Sequence, residues 1–269
     1  MPVTSRIFSL TLVLGLLPAL LAGPAHAAED AIVTDRPDFV ESSNVVGKGR
    51  FQIETSIAFE TDRADGIKTR TRNTPTLLRF GVSDNLELRL ETDGAQQLRT
   101  SGADTNSSQR GWTDLAIGLK WHQRDADSAT GQPGLAWLIH LDVDSGAADF
   151  RGQGLRPSVR FVAEWELPHG WSAGLMPGLY VDRSTEGRRF IGGILAGVIG
   201  KSLTDELRAF VEISAQQLAS ARDGGQVITL DAGLAYMINP SLQLDLAVAH
   251  GLNKASPDFG WTLGLSAKF

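Results

Sequence analysis

Along most of this chain apolar and polar residues alternate one by one, and no later apolar run approaches the length of a membrane helix. Phe51, Ile53, Thr55, Ile57 and Phe59 alternate with Gln52, Glu54, Ser56, Ala58 and Glu60. Leu86, Leu88, Leu90 and Thr92 alternate with Glu87, Arg89, Glu91 and Asp93, and Leu115, Ile117, Leu119 and Trp121 with Asp114, Ala116, Gly118, Lys120 and His122. Successive side chains of a strand point to opposite faces, so each stretch reads as a strand with one apolar and one polar face. The same test predicts twelve strands, at roughly 50–60, 68–80, 86–93, 112–122, 134–144, 156–166, 171–182, 189–200, 206–217, 226–238, 242–250 and 259–269. Pro75 interrupts the second, because proline removes a ladder donor and marks a bulge or an irregular end. The longest strongly apolar stretch beyond residue 27, Ile191 to Gly200, is too short for a spanning helix. Entry into a membrane therefore requires closed strands, the other way to satisfy every backbone group in lipid.

The connections alternate in length. Gly81-Val82-Ser83-Asp84-Asn85, Leu167-Pro168-His169-Gly170, Ser202-Leu203-Thr204-Asp205 and Asn239-Pro240-Ser241 are compact turns. The others are longer and more polar, above all 94–111; residues 123–133 read as an insertion on the short-turn side. Phe51, Phe80, Trp121, Trp165, Trp171 and Phe269 fall at one level beside the short turns, and Phe59, Trp112, Phe190 and Phe259 near the opposite ends. Two aromatic levels suit two headgroup regions. The polar face carries charges of both signs, among them Glu54, Lys68, Arg70, Arg72, Arg79, Glu87, Arg89, Lys120, His140, Arg160, Glu164, Arg208, Glu212 and Asp245. That mixture suits a wet lumen and would be costly in a dry core. The expected fold is all-β: a transmembrane antiparallel up-and-down β-barrel of about twelve strands over residues 50–269. The competing arrangement, a soluble β-sandwich, leaves the aromatic levels unexplained.

Arg6, the apolar run Ile7 to Leu21 and Ala25-His26-Ala27 form an export signal, cleaved after Ala27. Residues 28–49, with Asp35, Arg36, Pro37 and Asp38, form an N-terminal segment that is periplasmic or plugs the lumen. The net charge of −6, without a sequence cluster of basic residues, argues against nucleic acid as a partner. With no cysteine, the exported chain has no disulfides to hold it.

Thr34-Asp35-Arg36-Pro37-Asp38-Phe39-Val40-Glu41-Ser42, Val46 to Glu54, Thr74 to Gly81 and Asp84 to Arg89 resemble the opening of the MetA-pathway of phenol degradation family. The resemblance implies an outer-membrane, transporter-like barrel of a Gram-negative bacterium, passing small molecules that include aromatic or apolar compounds.

Arg79, Glu87, Arg89 and Glu91 lie on one predicted hairpin and meet across it on the lumen side. They form either a charged constriction that selects solutes or ion pairs that stiffen the wall. Asp142, Asp144 and Asp149 read as solvated rim charge rather than a calcium site, so neither metal nor cofactor is expected. His250, near Asn253 but without a serine motif, gives little ground for an enzyme. Alternatives to a channel are an adhesion or structural barrel that binds through 94–111, and a membrane-embedded hydrolase. Phe259, Trp261, Leu263, Leu265, Ala267 and Phe269 resemble the final-strand signal read by barrel assembly machinery. The expected partners are thus the lipid bilayer, that machinery and a small solute, in the bacterial outer membrane.

Overall fold

The computed structural model describes residues 31–184 and 186–269, so the export-signal reading of residues 1–27 lies outside the described residues. Fifteen strand segments follow one another. They are β1 (Phe51–Ala64), β2 (Ile67–Asn73), β3 (Thr76–Ser83), β4 (Leu86–Thr92), β5 (Ala95–Ser101), β6 (Asn106–Trp112), β7 (Leu115–Arg124) and β8 (Gly134–Val143). They continue with β9 (Arg156–Leu167), β10 (Trp171–Arg183), β11 (Arg189–Ser202), β12 (Leu207–Leu218), β13 (Gln226–Asn239), β14 (Leu242–Gly251) and β15 (Phe259–Lys268). The described residues contain no α-helix. β2 and β3, β4 and β5, and β6 and β7 are halves of single long strands, each interrupted for two residues. β3 pairs with β4 and β4 with β7, while β2 pairs with β5 and β5 with β6. All pairings are antiparallel, and β15 returns to β1 from Gln52↔Lys268 to Thr61↔Phe259, closing a 12-strand barrel.

The interruptions share one level. Pro75 cannot donate to the ladder, while the carbonyl of Asp93 accepts from Thr74 N and that of Gly94 from Thr113 N, so the neighbouring strands stay linked across the break. Above this break the wall continues as strands. Residues 94–111, expected as a loop, form most of the β5–β6 hairpin instead, because polar side chains such as Gln97 and Arg110, or Arg99 and Ser108, pair across it without an apolar face.

The barrel is inverted relative to a soluble protein. Ile191 is 71% exposed and Ile139 56%, whereas Leu138, Arg79, Glu54, Glu87 and Lys120 are fully buried. Phe51 stacks on Phe269 at 6.2 Å on the turn side, and Phe59 on Trp261 at 4.5 Å toward the loop side. An exposed apolar band between aromatic girdles is the surface of a membrane-spanning barrel. Phe190 departs from the expected girdle. It pairs with Asp182 and meets Tyr180 edge-on, on the inward side, because Ile191 takes the outward position.

Lys68, Arg70 and Arg72 also depart from expectation. They pair with Arg63, Thr61 and Phe59 and so share the outward face, not the lumen face. At the headgroup level the outward side of a strand is polar too, so alternation alone does not separate inside from outside there.

Replacing Ile117, 56% exposed in the belt, by arginine is expected to cost about 2–4 kcal/mol of folding free energy in vesicles. Equilibrium unfolding in lipid checks this, and an unchanged midpoint would contradict the assignment of the outward face.

Candidate functional site

A backbone without a ladder needs other partners, and residues 31–50 find theirs on the inner wall. Inward glutamates accept from the segment's amides: Glu54 from Asp35 N at 3.0 Å, and Glu212 from Phe39 N at 2.8 Å and Val40 N at 2.7 Å. Glu87 accepts from Val46 N at 3.0 Å, and Glu164 from Ser43 N. Inward donors take the carbonyls. Arg79 donates to Val33 O and Asn44 O, Lys120 to Ser42 O, and Gln52 to Val33 O. The segment enters beside a short turn, with Ile32 N donating to Pro240 O, and leaves through Gly49 N to Gly81 O at 2.8 Å. Gly81 permits that approach: a Cβ there would lie 1.7 Å from Gly47 O.

Asp35 sits at the centre. Its carboxylate accepts from Lys120 Nζ at 2.7 and 2.8 Å, from Arg89 Nη1 at 2.6 Å and from Ser42 N at 2.8 Å, and lies 3.5 Å from Arg79. Burial alone would raise the Asp35 carboxyl, but the facing cations of Arg79, Lys120 and Arg89 outweigh it and hold the group well below the usual carboxylate range.

The predicted wall cluster is assembled as well. Arg79 binds Glu87 through Nε at 2.9 Å and Nη2 at 3.0 Å, and Glu54 through Nη1 at 2.9 Å. Arg89 binds Glu91 at 2.7 Å, Glu41 at 2.7 Å and Glu87 at 3.0 Å. Every N–H of both guanidinium groups is thereby used. Of the N-terminal motif, Arg36 reaches Asp245 at 3.0 Å and Thr262 at 2.9 Å, and Asp38 pairs with Arg208 at 2.6 Å. Pro37 follows Arg36 through a cis peptide bond. Of the motif Asp35–Asp38, Asp35 joins the Arg79–Glu91 cluster in one network, while Arg36 and Asp38 bind elsewhere on the wall. Lys120, Glu54 and Glu41 complete the network, and only the inward parity of the first two marked them in the sequence.

Between the inward charges of β8 to β14 lies an apolar cluster that the alternation did not reveal. Ala136, Leu138, Val162, Met176, Ala196, Val198, Phe210 and Ala247 form a buried cluster around Val40, with Phe39 packed on it. Gly174 makes room: a Cβ there would lie 2.9 Å from both Val40 Cγ1 and Val198 Cγ1. On either side of the N-terminal segment a cavity remains. The loop-side vestibule, about 440 Å³, is lined by Arg36, Glu91, Asp93, Asp142, Phe150, Arg156 and Arg160 among others. The turn-side cavity, about 290 Å³, is bordered by Ile32, Val33, Asp205, Arg208 and Met237. Asp114 folds the loop after β8 across the vestibule, accepting from Gly146 N at 2.8 Å, Gly152 N at 2.7 Å and Arg156 at 2.7 Å. His250, the residue weighed for catalysis, donates from Nδ1 to Asp258 O at 2.9 Å on the exposed outer face.

Residues 34–269 match the family described as "Putative MetA-pathway of phenol degradation". The chain belongs to that family. The matched region takes in the N-terminal segment and its charged partners on the wall, from Asp35 to Asp245 on β14. A search of curated proteins finds no match. Among solved structures, the fold is similar to an outer membrane channel from Pseudomonas putida F1, with TM-score 0.61 and 12% identity over 85% of this chain and 98% of that one. It is also similar to the beta domain of the Bordetella autotransporter BrkA, with TM-score 0.52 and 11% identity over 82% and 99% of the two chains. At these identities the likeness is one of fold, and with the lipid-facing belt it makes this family member a bacterial outer-membrane barrel.

Removing the central carboxylate leaves three buried cations facing one another. Asp35→Ala is expected to cost roughly 3–5 kcal/mol, the range for breaking a buried pair. Protease sensitivity of residues 31–49 in the folded barrel reads the loss. Because the folded-state carboxyl is depressed, its contribution is full above the ordinary value of 3.8 and is lost as pH falls below it. Unchanged protection in Asp35→Ala at pH 7 would contradict the role given to this carboxylate.

Proposed function

We propose that this protein is an outer-membrane channel for small molecules, closed at rest by its own N-terminal segment. The observation that carries the reading is the occupation of the lumen. Residues 31–49 lie between a loop-side and a turn-side cavity, and the inward glutamates and arginines bind their backbone. Arg79, Glu87, Arg89 and Glu91 then act less as a bare selective ring than as the seat of this segment. Opening requires the segment to leave, or to shift within the barrel.

The vestibule supports a solute with an apolar face and one polar group. Leu77, Pro75 and Phe150 border it beside Arg156, Arg160 and Asp142. A phenol-sized aromatic compound has that shape, which agrees with the family description. The barrel assembly machinery is the expected partner during insertion, reading β15 through the outward row Phe259, Trp261 and Leu263. We assign no catalytic role to His250.

The projecting β5–β6 hairpin favours a second reading, a closed barrel that binds through that hairpin. Conductance separates the two. In planar bilayers the full barrel is expected to show small, infrequent openings, and deletion of residues 31–49 to give a larger and persistent conductance. Vesicles carrying the deleted form are expected to take up phenol faster than those carrying the full chain. A deleted barrel that folds yet neither conducts nor passes phenol would overturn the channel and favour the closed barrel.

A further inference from the structure

Above the loop-side girdle the end of β1 continues with β2, β5 and β6 as a free-standing wall. Its outward face is cationic. Strand pairing sets Arg63 opposite Lys68, Arg70 opposite Arg99, and Gln97 between Arg72 and Arg110. These six cations are scattered from residue 63 to 110, so no run of basic residues announces them in the sequence. Among the described residues, none of the six forms an ion pair with a carboxylate. Arg72 lies over the Phe59 ring at 5.4 Å, and Gln97, with its carboxamide oxygen toward them, accepts from Arg99 Nε at 2.9 Å and Arg110 Nε at 3.0 Å. Like charges directly opposite on one sheet face repel. The arrangement therefore suits an anion that bridges them.

Position decides which anion. Arg72 is level with Phe59, and Arg110 lies two residues beyond the exposed Trp112 on the same face. The patch thus begins at the aromatic girdle and rises over the next four residues of β2. It faces outward to the membrane, not into the lumen; the inward positions of the same strands are Thr69, Thr71, Leu98 and Thr100. Within it a recess of about 350 Å³ is bordered by Arg70, Arg99, Ser101, Asn106 and Ser108, guanidinium groups beside hydroxyl and amide donors. Guanidinium forks match phosphate oxygens, and hydroxyls and amides match sugar.

We propose that this face binds the phosphorylated headgroup of the glycolipid of the outer leaflet, anchoring the wall of the barrel at a fixed depth. The test uses the full chain in neutral detergent. A bisphosphorylated glucosamine lipid, the same lipid without phosphates, and inorganic phosphate are added separately, and bound lipid and the unfolding temperature are read. The phosphorylated lipid is expected to bind and raise the unfolding temperature, the dephosphorylated lipid to do neither, and inorganic phosphate to bind at least about tenfold more weakly. Arg70→Gln with Arg99→Gln and Arg110→Gln is expected to lower lipid occupancy at least about tenfold without changing conductance. Equal retention of the dephosphorylated lipid, or equal occupancy in the triple variant, would overturn the proposal. Binding of inorganic phosphate as tight as that of the lipid would also overturn it, by making the patch a site for soluble anions. Should the triple variant fail to fold, Arg99→Gln alone carries the comparison with the same outcomes.

Discussion

Asp35 holds the inside of this barrel together. A carboxylate taken out of water needs compensation, and three cations from three strands of the wall supply it: Arg79 on β3, Arg89 on β4 and Lys120 on β7. Without the N-terminal segment those cations would face only the wall's own glutamates, and Lys120 would lose its close contacts. With it, the donors of both guanidinium groups and of the ammonium are satisfied. The wall and the segment are therefore one electrostatic unit, although the segment belongs to no sheet.

The rest follows from where water is excluded. Lipid forces the apolar row of each strand outward, which leaves polar rows facing one another across a narrow lumen. Twelve strands give a bore too wide for side chains to fill and too narrow to resemble a large pore. A single extended segment fits the difference. Its charged residues Asp35, Arg36, Asp38 and Glu41 meet opposite charges on β4, β7, β9, β12 and β14, while Phe39 and Val40 between them meet the buried apolar cluster of β8 to β12 and β14. The segment thus carries an apolar pair between charged flanks, matched to a wall that mixes the two.

The barrel was legible in the sequence because alternation records the lipid boundary directly. Strand ends from Gly134 onward fall close to those expected, as do the compact turns. Alternation failed where the boundary stops. Lys68, Arg70 and Arg72 lie from the girdle outward, so their polarity reports the headgroup level rather than the lumen. Residues 94–111 carry no apolar row for the same reason, and read as a loop although most of them pair. The apolar lumen cluster was hidden by the opposite effect: Leu138, Val162 and Val198 are apolar beside apolar outward neighbours, and such runs carry no period. Arg79, Glu87, Arg89 and Glu91 were found together because they lie on one hairpin. Their partnership with Asp35 spans 54 residues to Arg89 and 85 from Lys120, and no local pattern encodes contacts of that separation.

The N-terminal segment lies inside the closed barrel, seated against the inner wall. The chain has no cysteine, so a single introduced pair reads that placement without interference. A Cβ at Gly174 would lie 2.9 Å from Val40 Cγ1, within the reach of a disulfide. Val40→Cys combined with Gly174→Cys, in barrels isolated from membranes and mildly oxidised, is predicted to form an intramolecular disulfide in nearly every molecule. Two thiols that stay free and react with a water-soluble maleimide from the turn side would contradict it.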